Sequence, residues 1–194
     1  LNHYFKGKAF GTRSLLLETI GGVTLRLYSS EGVFSKDRVD LGTRLLLENL
    51  VIPPQGEVLD VGTGIGVIGI FVAKKNPKLR VFMSDVNPRA LELAKQNAVA
   101  NNVQDRVIVL KSDVYDAFSG KLFDAIYSNP PLSAGWSVVE RIIVGAPLHL
   151  KSAGFLQAVF ARGEERAISL GKEHFREVKV LKRKKGYSII LFEV

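Results

Sequence analysis

Residues 58–66, Val58-Leu59-Asp60-Val61-Gly62-Thr63-Gly64-Ile65-Gly66, decide the reading of the fold. A short apolar run interrupted by one acid ends in three alternating glycines, and a helical pattern, Gly66–Lys75, follows at once. This is a buried strand turning directly into a helix. Glycines there permit positive φ and let a ligand approach the backbone, and the open helix N-terminus presents unpaired N–H groups at the same place.

Outward from this stretch, apolar β-rich runs alternate with helical patterns. Strands are expected at Glu57–Val61, Arg80–Asp85, Arg106–Lys111, Ala125–Ser128 and Phe155–Ala161, with helices at Gly66–Lys75, Pro88–Asn101 and Val138–Leu150. Asn87 before Pro88 is a cap followed by a first-turn proline. Such alternation predicts a parallel sheet flanked by helices. The end departs from it: Glu177–Arg183, a basic turn through Gly186, and Tyr187–Val194 form an antiparallel hairpin. The fold class is therefore α/β, Rossmann-like, with a seven-stranded, mostly parallel sheet closed by that hairpin. Upstream, Ser14–Ile20 and Val23–Tyr28 flank Gly21-Gly22 as a second hairpin, and a short helix over Val39–Leu50 leads through Pro53-Pro54 into the core. The expected organisation is one domain over 1–194, with 1–38 as an accessory segment and 39–194 as the ligand-binding core.

Composition narrows the chemistry. The chain has 194 residues, no cysteine and three histidines, which removes disulfides, thiol catalysis and a Cys- or His-built metal cluster. Its uncharged apolar runs are too short to span a bilayer, and its start, LNHYFKGKAF, has no apolar signal core. A cytoplasmic protein without metal or membrane partner is expected, in an oligomeric state the sequence leaves open. The net charge of +8 fits a polyanionic partner such as RNA.

The glycine loop satisfies two cofactor fingerprints. Gly64-Ile65-Gly66-Val67-Ile68-Gly69 spells the dinucleotide GxGxxG, with Asp85 about twenty residues on. However, Asp60-Val61-Gly62-Thr63 intervenes between strand and fingerprint. A pyrophosphate there would meet the Asp60 carboxylate, whereas S-adenosylmethionine (AdoMet) brings a cationic amino-acid end that Asp60 can face directly or through water. The next two strand ends also carry acids. Asp85 can accept ribose hydroxyls of either cofactor; Asp113 can take the adenine amine, with the Val114 N–H on a ring nitrogen. Asp116 and Asp124 are expected to be solvated loop and turn acids.

Ser128-Asn129-Pro130-Pro131 ends the fourth core strand. Its prolines fix φ and remove donors, leaving carbonyls without internal partners. Asn129, before Pro130, is held extended. The Asn129 amide oxygen and the Pro130 carbonyl can then hold both hydrogens of a planar amine. Such a nitrogen has a delocalised lone pair, so bonds favouring a more tetrahedral nitrogen act most strongly in the transition state. Orientation toward a sulfur-bound methyl group does much of the remaining work.

These residues resemble the methyltransferase small domain family, class I AdoMet-dependent enzymes that include ribosomal RNA small-subunit guanine-N2 methyltransferases. The likeness is greatest to compact archaeal members, which lack the extra N-terminal domain of the bacterial enzymes. It is carried by His3-Tyr4-Phe5, Gly32-Val33-Phe34-Ser35 with Asp37, Val39–Thr43, Asp60–Gly66, Asp85-Val86-Asn87, Asn97, Asn101-Asn102, Asp113, and Ser128–Pro131 with Gly135. The resemblance implies AdoMet as cofactor, held by Asp60, Gly62, Thr63, Gly64, Gly66, Asp85, Val86, Asp113, Val114 and Asn129, with Phe34 and Thr43 helping to wall the pocket. Asn129 and Pro130 are the expected catalytic residues.

On the acceptor side, Pro131, Leu132, Trp136, Lys36 and Arg38 are the expected substrate contacts. Related bacterial enzymes carry an aromatic where Leu132 stands, so what stacks on a target base is open. Trp136 is the nearest aromatic, or a helix-start anchor. Lys179, Lys182, Arg183, Lys184 and Lys185, with Arg162 and Arg166 upstream, suit RNA phosphates or serve as a solubilising turn. The reading favoured is an N-methyltransferase acting on a guanine amine of ribosomal or other structured RNA. Methylation of a protein glutamine amide, and a noncatalytic AdoMet- or RNA-binding module, are the alternatives.

Overall fold

A computed structural model describes residues 13–30 and 38–194. In it β1 (Arg13–Ile20) and β2 (Val23–Ser30) pair antiparallel around Gly21 and Gly22, both at positive φ. Asp40 caps α1 (Leu41–Glu48). Then follow β3 (Gly56–Val61), α2 (Val67–Lys75), β4 (Leu79–Asp85), α3 (Pro88–Ala100), β5 (Val107–Lys111), β6 (Phe123–Ser128), α4 (Trp136–Gly145), β7 (Leu150–Phe160), α5 (Glu164–His174), β8 (Glu177–Lys184) and β9 (Tyr187–Glu193).

The seven-stranded sheet has the order β5-β4-β3-β6-β7-β9-β8. β3 to β7 run parallel, while β9 is antiparallel to both β7 and β8. This is the α/β architecture expected, N-terminal hairpin included. The strand order reverses at β3, with β4 on one side and β6 on the other. A crevice therefore opens at the carboxyl ends of β3, β4 and β6, the usual ligand position in such sheets.

Two apolar layers cover the sheet. Val58, Val81 and Met83 face the layer formed with the hairpin, α1, α2 and α3; Leu59, Val61, Ile126 and Leu156 face the layer under α4 and α5. Alternation along β3 consequently puts Asp60 beneath α2 rather than at the strand tip.

The hairpin is docked by two buried amides, Asn97 on α3 and Asn101 at its C-cap. Asn97 accepts from Tyr28 N (2.7 Å) and donates to Tyr28 O (3.1 Å) and Ile65 O (2.9 Å). Asn101 accepts from Arg26 N (3.0 Å) and donates to Arg26 O (2.8 Å). Four helical residues rise ~6 Å, close to the ~6.7 Å between alternate strand residues. One helix face thus pairs with β2 as a neighbouring strand would.

Three elements differ from expectation. The helix expected over Val138–Leu150 starts at Trp136 and stops at Gly145, because Pro147 lacks the N–H that would bond the Ile143 carbonyl. β7 begins at Leu150, ahead of the expected Phe155. Helix α5 lies in a stretch to which the sequence reading assigns no element. It buries only Ala167 and Gly171, so it shows no stripe of large apolar residues. Its glycine admits a close neighbour: a Cβ on Gly171 would stand 2.5 Å from the Phe192 ring.

Candidate functional site

A cavity of about 450 Å³ opens at this crevice. Gly62, Thr63 and Gly64 line it after β3, Asp85 and Asn87 after β4, and Asn129, Pro130, Pro131 and Leu132 after β6. Its outer wall comes from elsewhere: Leu16 and Leu27 of the hairpin, Arg38, Val39, Asp40 and Thr43 around the start of α1, and Ala161 and Tyr187 near the C-terminal hairpin. The accessory hairpin is thus part of the site.

The glycine loop is braced from within. Thr63 N donates to Ser84 O (2.8 Å), and Gly64 N donates to Asp85 Oδ2 (2.8 Å). Gly62 and Gly64 lie at φ +72 and +57, with nothing within 4 Å of the position a Cβ would take. Their open faces leave the backbone approachable. Asp85 also accepts from Asn87 N (3.0 Å), so both its oxygens are oriented while keeping acceptor capacity.

Of the two contacts expected of Asp60, direct or through water, the direct one is not what the structure shows. The Asp60 side chain is fully buried and does not line the cavity. Asp60 Oδ2 accepts from Thr63 Oγ1 (2.5 Å) and Gly69 N (2.9 Å), tying the loop to the first turn of α2. Burial pushes its carboxyl up to about 7, against the lowering effect of the Thr63 and Gly69 bonds, with Asp85 adding a smaller upward push. Gly69 has its own reason to be glycine, since a Cβ would stand 2.3 Å from Met83 Sδ.

The Asn129 side chain is aimed by a relay. Asp40 Oδ1 accepts from Thr43 N (3.1 Å) as the helix cap, and Asp40 Oδ2 accepts from Thr43 Oγ1 (2.8 Å). Asn129 Nδ2 donates to Thr43 Oγ1 (2.8 Å) and lies 3.5 Å from Asp40 Oδ1. Because the amide nitrogen is engaged, the Asn129 oxygen is left as the acceptor. The following carbonyls are not all free, contrary to expectation. Leu132 N donates to Pro130 O (2.9 Å) and Ala134 N to Pro131 O (2.9 Å). These bonds close the turn, and the second lone pair of the Pro130 carbonyl remains available.

Other expected site residues fall elsewhere. Asp113 and Val114 turn toward α4, and Arg141 Nη1 donates to Asp113 Oδ1 (2.9 Å), holding that carboxylate outside the cavity. Val114 sits at φ +51, a strained position for a β-branched residue, where Ser112 Oγ bonds its carbonyl (2.9 Å). Gly66 caps α2 at φ +97 behind the lining residues, and Val86 is exposed outside them. Trp136 is an anchor: its ring covers Gly163, where a Cβ would lie 2.6 Å from Cζ3, and Arg166 stacks on it at 4.5 Å. Asp124 is no solvated acid, since it accepts from Glu57 N (2.9 Å) and Lys151 (3.1 Å). Phe34 and Lys36 lie outside the described residues, as do the His3-Tyr4-Phe5 and Gly32–Asp37 segments.

Sequence reasoning missed Asp40, Leu16, Leu27 and Tyr187 as parts of the site. For Asp40 a signal existed, because Asp-x-x-Thr is capping spacing. For Tyr187, 58 positions beyond Asn129, none did. Among the described residues no metal-binding group occurs, and no helix is long and apolar enough to cross a membrane.

Known proteins resemble this chain in sequence and in fold. The family model of the methyltransferase small domain matches residues 24–191. An uncharacterised Bacillus subtilis protein, YbxB, is 41% identical over 166 residues, covering 84% of this chain and 82% of its own. Ribosomal RNA small subunit methyltransferase C of Aeromonas hydrophila is 38% identical over 178 residues, covering 90% of this chain and 51% of its own. The chain thus spans about half the length of that relative. A T. thermophilus 16S rRNA N2 methyltransferase, solved with AdoMet and guanosine, superposes with a TM-score of 0.82 at 23% identity, over 93% of this chain and 50% of that one. At that identity the superposition speaks for the fold.

Proposed function

Because the chain belongs to the methyltransferase small domain family, we propose that it is an AdoMet-dependent N-methyltransferase acting on the exocyclic amine of a guanine in ribosomal RNA. One observation carries the reading. The Asn129 amide, oriented by Thr43 and Asp40 so that its oxygen is the acceptor, shares a cavity with the open faces of Gly62 and Gly64. Support for an RNA acceptor comes from the relatives and from the net charge of +8.

The residues present fit AdoMet. The Gly62–Gly64 backbone would meet its amino-acid end, Asp85 would accept from its ribose, and the apolar walls from Leu16, Leu27 and Ile68 would exclude water. When bound, AdoMet supplies a sulfonium-activated methyl group. Everything else falls to the protein. Asn129 Oδ1 and the Pro130 carbonyl accept the two N–H groups of the acceptor amine. This draws its lone pair out of conjugation and directs it into the cavity. Asp60 stiffens the loop from below through its bonds from Thr63 and Gly69.

The test is transfer of tritium from labelled AdoMet to small-subunit ribosomal RNA, with loss of transfer in Asn129→Ala. Labelled protein in place of labelled RNA overturns the substrate.

A further inference from the structure

The last hairpin carries five cations within seven residues, and its register sorts them. Tyr187 is opposite Lys184 and Ile189 opposite Lys182, so these four share one face of the sheet. Ile189 belongs to the apolar layer with α1, and Tyr187 lines the cavity, so this is the cavity face. Arg183, opposite Ser188, points to the other face. There Glu164 accepts from Arg183 Nε (2.7 Å) and from Ser188 Oγ. Lys179 is also spent internally, 3.1 Å from Glu193 and 3.4 Å from Glu177. Among the described residues, Lys182, Lys184 and, in the turn, Lys185 are exposed and have no ion pair, and of these the register places Lys182 and Lys184 on the cavity face.

Tyr187 is seated with some care. Its ring lies against Gly42, where a Cβ would come within 2.7 Å of Cε1. Leu132 is not aromatic, and the Trp136 ring is engaged by Gly163 and Arg166. Among the described residues, Tyr187 is the only aromatic that lines the cavity.

An amine on a stacked, paired base cannot reach Asn129 at a strand end. The base must leave its stack, and single-stranded or looped RNA bases are typically received on aromatic rings. We propose that Tyr187 is the stacking platform for the acceptor base, and that Lys184 and Lys182 hold the phosphates of the RNA strand leading to it. Arg38, exposed on the cavity wall, provides a further cation at the mouth. The inference rests on the proposed RNA reading and extends it to the route by which a looped-out nucleotide enters.

The experiment measures methyl transfer against RNA concentration at several salt concentrations, using small ribosomal subunits and their naked in vitro transcript. AdoMet affinity is followed in parallel by thermal shift. Tyr187→Ala is expected to lower kcat/KM for RNA at least tenfold, with AdoMet affinity retained, and Tyr187→Phe to restore it. Doubly substituted Lys182→Gln/Lys184→Gln is expected to raise KM for RNA and flatten the salt dependence by between one and two ions. Arg183→Gln, which removes an internal pair, is expected to leave the salt dependence unchanged. The inference falls if Tyr187→Ala and the double lysine variant methylate RNA like the parent. It also falls if Tyr187→Phe is as impaired as Tyr187→Ala, or if Arg183→Gln flattens the salt dependence equally. Because the lysines are exposed, they keep the test decisive should Tyr187→Ala not fold. A parent that labels no RNA, or labels protein, overturns the RNA reading itself and the inference with it.

Discussion

The two sides of the cavity are built in different ways. On the glycine-loop side, all bracing bonds but one are made within one β–α–β stretch: Asp60 to Thr63 and Gly69, Thr63 to Ser84, and Gly64 to Asp85, the exception being the Asn97 bond to Ile65 O from α3. On the acceptor side, Asn129 is held by residues 86 and 89 positions earlier, and the described aromatic that lines the cavity comes from the last hairpin. The first side can form once β3, α2 and β4 pack. The second exists only when α1, β6 and β9 have all docked. A methyl-donor site can therefore persist while acceptor alignment is lost, and the two should separate under mutation.

The sharpest break is Asn129→Ala. Methyl transfer is expected to drop roughly 10²–10³-fold, the usual cost of removing one transition-state hydrogen bond, while AdoMet still raises Tm. Loss of both would show the two sides to be one unit. Next is Asn97→Ala, which strands Tyr28 N, Tyr28 O and Ile65 O. It is expected to cost about 3 kcal/mol in denaturant unfolding, with faster amide exchange at Tyr28 as the hairpin wall loosens. Thr43→Val frees the Asn129 amide to rotate. It should lower kcat about tenfold, with AdoMet affinity held, and Thr43→Ser should recover the rate.

A pH dependence sharpens the other side. Asp60 has a folded pKa of about 7 against an ordinary 3.8. The folded state therefore holds a proton that the unfolded state has released across that window. Its contribution to stability is full below pH ~4 and is lost as pH rises toward ~7, by at most ~1.4 kcal/mol per pH unit. Asp60→Asn keeps acceptors for Thr63 and Gly69 and should remove this slope, as read from urea unfolding across the window. An unchanged slope would place the titration elsewhere.

Legibility follows the same division. The strand–glycine–helix unit, the Asn87-Pro88 cap and both hairpins are visible in sequence because turns, caps and period-2 alternation are local. Helix α5 escaped because a helix packed through Ala167 and Gly171 leaves no apolar stripe. The residue type of Asp60 suits a cationic ligand at the strand end, while alternation from Val58 points it under α2.

Local chemistry in the chain thus specified the α/β order, the glycine loop, the acid Asp85 at the end of β4 and the Ser128–Pro131 turn, since each depends on neighbours in sequence. Tertiary packing alone decided that Asp60 is buried beneath α2, that Asp113 pairs with Arg141, and that Thr43 and Asp40 aim Asn129. It alone also brought Tyr187 to the cavity. Those outcomes depend on which faces meet after distant segments dock, a quantity that no local pattern of residues carries.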